Sequence, residues 1–366
     1  MRIDRAGTSS AAADHDLGDR LLRIPRHDEA DASWPSPPHA GGRVIQIAKA
    51  QHLLVALLLP VAVLGCEPPV LPVSQPAPPA TMTPPLSGTP AGIVGMLAVS
   101  DGIDGVFLFD LASGELIKLT NTDFPAFDAD WSPDGTMLVF RAELGGNSEI
   151  FVIDADGSNL RNITGDPATD FAPAWSPDGS LIAFASDRSP TAGVADIFVM
   201  RPDGSHVRHV AGHAAVDEYP DWYPDGQQIV FSGGDVRGAD QDIYIVRLDS
   251  SDERNLTNSR DAHENEPAWS PDGATIVFTC GKGTCAGEPS SEGDVLAISP
   301  DGTALRNLTS SPEDEGSLAW SPDGEWISLL RYPGGLFVMA PDGSDARRIE
   351  IPLGEPDFAS WRPIQP

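Results

Sequence analysis

The sequence predicts an all-β fold, a six-bladed β-propeller of four-stranded blades closed by the C-terminal strand completing the first blade. Three observations predict it. First, Trp-Ser-Pro-Asp-Gly recurs at 131–135, 175–179, 269–273 and 320–324, with Trp-Tyr-Pro-Asp-Gly at 222–226 and a truncated Trp361-Arg362-Pro363 near the end. The tryptophans are 44, 47, 47, 51 and 41 residues apart. A period of about 40–50 residues with several short strands per unit marks a propeller or array. Second, each unit alternates short apolar runs with Gly-containing turns. Third, the repeat opens with a unit that lacks its Trp strand and ends with a Trp strand that lacks followers.

The elements of one unit follow in order. A strand ends at the Trp. The Pro-Asp-Gly turn comes next, because Pro fixes φ and Gly accepts φ > 0. An apolar strand follows: Leu138–Phe140, Ile182–Phe184, Ile229–Phe231, Ile276–Phe278 and Ile327–Leu329. A variable loop leads to another: Ile150–Ile153, Ile197–Met200, Ile243–Val246, Val295–Ile298 and Leu336–Met339. A polar turn and a last strand close the unit, the latter reading Asn162-Ile163-Thr164, Asn255-Leu256-Thr257 or Asn307-Leu308-Thr309. Unbroken apolar runs need cover on both faces, which stacked blades supply. The early unit holds Leu97–Val99, Val106–Phe109 and Leu116–Thr120, and Phe358–Trp361 supplies its missing strand. Joining the two ends removes exposed inner edges.

Upstream of the repeat the composition divides the chain further. Residues 1–43 have no apolar period and read as an unstructured leader, with Val44 a candidate true start. Residues 44–65 read as a lipoprotein signal peptide: Lys49 and His52 precede the apolar run Leu53–Leu64, and Gly65-Cys66 follows. Twelve apolar residues are too few for a bilayer span, which needs about 20, and a short apolar core ending in small residues is a secretory signal. Val63-Leu64-Gly65-Cys66 resembles a bacterial lipobox, which makes Cys66 the lipidation site. Residues 66–92 are the lipidated Cys and a Pro-rich tether, semi-rigid and extended at about 3 Å per residue. Residues 93–366 are the propeller.

Charge narrows the partners. The chain carries 23 Lys+Arg against 54 Asp+Glu, a formal charge of −31. The seven basic and seven acidic groups of residues 1–66 cancel, so the whole excess lies beyond Cys66. Nucleic-acid binding needs clustered Lys and Arg and is excluded on this balance. With three cysteines there is no disulfide-rich scaffold. Cys280 and Cys285 flank Gly281-Lys282-Gly283-Thr284 and are expected to form a disulfide in an oxidising compartment.

With these motifs in place, residues 93–366 resemble the WD-like β-propeller repeats of the TolB family. The resemblance rests on the five Trp-x-Pro-Asp-Gly elements and their Ile-Phe-Val-type strands. It implies a protein-binding propeller; TolB itself carries an extra α/β domain and binds partners of an envelope-spanning system. Here a lipobox and tether stand in that place. The chain is therefore read as a surface-anchored extracytoplasmic lipoprotein, on the periplasmic side or the cell surface of a bacterium. Its monomeric propeller would bind an envelope protein or other cationic ligand without catalysis. The alternative is a carbohydrate-binding or polysaccharide-lyase-like propeller.

Most acidic and amide residues of the motifs recur with the repeat itself. Asp134, Asp178, Asp225, Asp272 and Asp323 are turn residues, and Glu149, Asp196, Asp242 and Asp294 recur at the start of a strand; both sets are structural. Asn162, Asn255 and Asn307 match the glycosylation pattern but recur at equivalent positions, which assigns them to the fold. There is no G-x-S-x-G elbow. The histidines His206, His209, His213 and His263 form no ring, and no segment matches the twelve-residue calcium loop. No catalytic residue, metal site or cofactor is expected, with Ca²⁺ the one ion that acidic loops suit. The candidate binding face is a ring of carboxylates at one channel mouth, just before each Trp strand: Asp128, Asp170, Asp217, Glu218, Glu264, Glu315 and Asp357. Such a ring focuses negative potential.

Overall fold

The computed structural model describes residues 81–82, 93–120, 124–188, 194–213, 215–234, 241–249, 252–259, 262–281, 283–285, 288–290, 293–354 and 356–364. The leader, the signal peptide and Cys66 lie outside the described residues, as does the tether apart from Thr81–Met82. Among the described residues every regular element is a strand.

Six antiparallel sheets form the blades. Blade 2 runs Ala126–Trp131, Met137–Leu144, Asn147–Asp154 and Arg161–Asn162. Blade 3 runs Asp170–Trp175, Ile182–Ser186, Asp196–Met200 and Arg208–Ala211. Blade 4 runs Asp217–Trp222, Gln228–Gly234, Gln241–Arg247 and Glu253–Asn255. Blade 5 runs Glu264–Trp269, Ile276–Cys280, Asp294–Ile298 and Arg306–Asn307. Blade 6 runs Asp314–Trp320, Ile327–Tyr332, Gly335–Met339 and Arg347–Arg348.

Blade 1 joins the two ends of the repeat. Phe358–Trp361 pairs antiparallel with Met96–Ser100, placing Trp361 opposite Leu97 and Phe358 opposite Ser100. Val106–Asp110 and Leu116–Lys118 complete it. Thr81–Met82 adds a fifth strand at the outer edge, on Leu116–Ile117. The tether therefore touches the propeller midway, where Ala80-Thr81-Met82-Thr83 interrupts its prolines. Pro-free residues can offer the N–H groups that an open strand edge accepts.

The core lies between blades. Six apolar clusters occupy the six seams, and each strand sends alternate residues to the seams on its two sides. Phe140, Phe184, Phe231 and Phe278, one per blade, are fully buried. Burying each such side chain contributes about 1.5–3 kcal/mol. The Trp strands touch their neighbours in an unbroken circuit that includes Phe358–Trp361. They are the innermost strands and ring the channel.

The turn motif is a hydrogen-bonded unit. Ser132 Oγ donates to Asp134 at 2.7 Å, Asp134 accepts Thr136 N–H at 3.0 Å, and Met137 N–H returns to Ser132 Oγ at 2.9 Å. The Asn-x-Thr element is equally structural. Thr164 Oγ accepts the N–H of Ile150, and Thr309 Oγ that of Val295. Asn162 Oδ1 accepts the Thr164 N–H at 3.0 Å. Thr164 Oγ and Gly165 N–H both donate to Glu149 at 2.7 Å. The recurrent acid and the recurrent Asn-x-Thr thus tie the third strand to the fourth.

Candidate functional site: the central channel

Each of five Trp strands carries a bulge. The residue three before the Trp adopts a left-handed backbone: Asp128, Ala172, Tyr219, Glu266 and Ser317 have φ between 48° and 54°. The strand register shifts there in all five blades. A bulge re-aims side chains locally, and here it alters which acids face the hollow centre.

The seven carboxylates expected at the mouth divide into two groups. Asp170, Asp217, Glu264 and Glu315, five places before the Trp, are buried. They do not form a solvated ring; the fold encloses them and uses three as anchors. Arg188 Nη2 donates to both oxygens of Asp170 at 2.8 Å. His213 donates its backbone N–H to Asp217 at 2.7 Å, and its Nδ1 lies 2.8 Å from the same carboxylate. Arg331 Nε donates to Glu315 at 2.8 Å, and Thr309 Oγ donates to it as well. Burial raises the carboxyl pKa of Asp170, Asp217 and Glu315 more than these partners lower it. The Asp217 contact holds His213 above the ordinary imidazole value. Glu264 differs. No basic side chain reaches it among the described residues, its Oε2 has no hydrogen-bond partner, and burial pushes it to about 7.

Asp128, Glu218 and Asp357 are less enclosed, and Glu266 lies with them. All four are mostly buried with some residual exposure and lie within one another's electrostatic reach. Burial, then Asp128, Glu218 and Asp357, push Glu266 to about 7. Burial raises Glu218 and Asp357, and Asp128 raises both further. Gln241 Nε2 donates to Glu218 at 3.0 Å. Among the described residues one cation serves the group: Arg141 Nε pairs with Asp128 at 3.1 Å while its guanidinium sits over Phe127, 4.2 Å from the ring centre.

Deeper along the inner strands, Asp130 and Asp221 precede their tryptophans. Both are surrounded by protein yet retain a little contact with the channel. Asp130 accepts Trp175 N–H at 2.8 Å and Ser360 Oγ at 3.1 Å. Burial pushes Asp130 to about 6 and Asp221 to about 7. Sequence reasoning missed Asp130, Asp221 and Glu266. The first two stood next to the Trp of the motif, and that adjacency was the available signal; the bulge that exposes Glu266 leaves none.

The other assignments fall as follows. Cys280 is buried and disulfide-bonded. The side chain of Cys285 lies outside the described residues; its backbone belongs to a small hairpin, Gly283–Cys285 with Glu288–Ser290. His209 pairs with Asp196 at 3.1 Å, away from His213 and its Asp217. Among the described residues no group of three or more His, Cys, Asp or Glu side chains is arranged to hold a metal ion.

A closed ring of six four-stranded blades, joined through its termini and centred on a carboxylate-lined channel, defines a WD-like β-propeller protein. The chain belongs to the TolB β-propeller family: the model for the TolB beta propeller domain (PD40) matches residues 76–233 and 190–365. Among solved structures, the chain resembles TolB from Acinetobacter baumannii at 20% identity and TM-score 0.62, over 76% of this chain and 69% of that one. It resembles a putative TolB from Agrobacterium tumefaciens at 18% identity and TM-score 0.58, over 75% and 100%. A chain of a nidogen/laminin complex aligns at 10% identity and TM-score 0.59, over 74% and 98%. These likenesses are of fold. No curated protein matches by sequence.

Proposed function

We propose that this protein is a lipid-anchored extracytoplasmic scaffold whose propeller binds an envelope protein, without catalysis, through the acidic mouth of its channel. The observation that carries the reading is the convergence of Asp128, Glu218, Glu266 and Asp357 on one hollow, with Arg141 their single cation among the described residues. Carboxylates so placed focus negative potential and favour a partner that inserts a basic segment. Family membership supports the scaffold role, since the named neighbours include TolB proteins and a protein–protein complex. The disulfide at Cys280 supports an oxidising compartment. Lipidation at Cys66 would fix the domain to the membrane.

The test compares the full chain with a triple variant, Asp128→Asn, Glu218→Gln and Asp357→Asn, in capture from detergent-solubilised envelopes. The wild type is expected to retain a partner that salt elutes, and the folded variant to lose it. Equal capture and equal salt dependence would overturn the acidic mouth as the binding face. Turnover of an acidic polysaccharide by the wild type would overturn the non-catalytic reading.

A further inference from the structure

The outer rim of the propeller has its own repeated device. An arginine on the fourth strand of one blade reaches a carbonyl in the turn of the next. Arg161 Nη2 donates to Pro202 O at 3.3 Å, Arg208 Nη1 to Leu248 O at 2.8 Å, and Arg254 Nη2 to Pro300 O at 3.3 Å. Each clasp occupies one arm of a fork that carries five N–H donors.

The seam between blades 3 and 4 keeps the clasp but has a different turn sequence. The sequence there is Leu248-Asp249-Ser250, where blades 3, 5 and 6 have Pro-Asp-Gly at 202–204, 300–302 and 341–343. A cleft of about 390 Å³ opens at this seam, lined by Arg208, Gln227, Arg247, Leu248 and Asp249. Two guanidiniums face one carboxylate, so the cleft is locally basic in a chain of charge −31. Arg208 is held in place by its clasp to Leu248. Arg247 makes no side-chain hydrogen bond or ion pair with any described residue, whereas Arg141, Arg188 and Arg331 each hold a carboxylate. Gln227 supplies an exposed amide beside them.

We infer that the cleft between blades 3 and 4 binds an oxyanion, a phosphate or carboxylate group, between the guanidiniums of Arg208 and Arg247. The chemistry is that of a planar fork meeting two oxygens, which gives short charge-assisted hydrogen bonds. Arg208 enters pre-positioned, so less side-chain freedom is lost on binding. The site lies on the outer rim and is independent of the channel.

The experiment titrates the full chain with inorganic phosphate and, separately, with acetate at constant ionic strength, followed by calorimetry. Saturable binding of at least one anion is expected, and the tighter of the two identifies the group. Arg247→Gln should weaken it about ten-fold or more, the loss of one hydrogen bond to a charged group. Arg201→Gln, the equivalent position of blade 3, should leave it unchanged. Both variants keep the clasps and are expected to melt like the wild type. Absence of saturable binding, an unaltered Arg247→Gln affinity, or an equal loss in Arg201→Gln would overturn the inference.

Discussion

The carboxylate of Asp221 in blade 4 accepts the backbone N–H of Trp269 in blade 5 at 2.7 Å. Asp130 makes the same bond to Trp175 across the seam between blades 2 and 3. The intervening seams use another linkage. Trp222 Nε1 donates to Ala174 O at 3.1 Å, and Trp320 Nε1 to Ala268 O at 3.3 Å. Where the residue before the Trp is Asp, the seam is closed by its carboxylate. Where it is Ala, the next indole closes the seam. The indole N–H groups of Trp175 and Trp269, facing the Asp-type seams, have no acceptor among the described residues.

Asp221→Ala should therefore leave the Trp269 N–H without its acceptor and destabilise the ring by about 1–3 kcal/mol. Asp221→Asn keeps an acceptor and removes a buried charge, so it should cost less. Urea unfolding at neutral pH, with the midpoint compared at equal slope, distinguishes the two.

Stability should fall as pH rises. Asp130 is pushed up to about 6, and Asp221, Glu264 and Glu266 to about 7, chiefly by burial. Their folded values lie above their unfolded ones, so each contributes stability below the unfolded value that is lost as pH passes through 6–7. Denaturation midpoints should be higher at pH 5 than at pH 8. The double variant Asp221→Asn, Glu266→Gln should flatten that slope, and a slope equal to wild type would refute the assignment.

Cys66→Ser should release the protein from the membrane fraction or leave it unprocessed. A wild type without the mass of a lipid, and a variant that stays membrane-bound, would defeat the anchor.

The disulfide of Cys280 is expected to join Cys285. Peptide mapping without reduction should find the two linked. The short loop limits the entropic gain to roughly 2 kcal/mol, so Cys280→Ser with Cys285→Ser should fold and lose about that much in urea unfolding.

The blade count, the ring closure and the structural roles of the turn aspartates and Asn-x-Thr elements were legible because each is local and repeated. The channel was less so. Asp170 and Asp217 stand five places before a Trp, as do Glu264 and Glu315, and spacing alone placed them at the mouth. Asp170, Asp217 and Glu315 are buried against Arg188, His213 and Arg331, which meet them only through cross-strand register and loop folding, and Glu264 is buried with no basic partner among the described residues. Glu266 enters the channel through a left-handed residue that no glycine announces. Asp130 and Asp221 act between blades, a relationship that exists only once the ring has closed.

Blade 1 sets the timing of assembly. Leu97 and Trp361 come from opposite ends of the repeat, so five seams can zip from neighbour to neighbour while the sixth waits for Phe358–Trp361. Closing a loop of that length carries an entropy cost that grows only slowly with length, but the contact comes last by geometry. During ribosomal synthesis the ring stays open until its final strand emerges. A chain cut short of Phe358–Trp361 would leave Met96–Ser100 as an open inner edge, free to pair with another molecule.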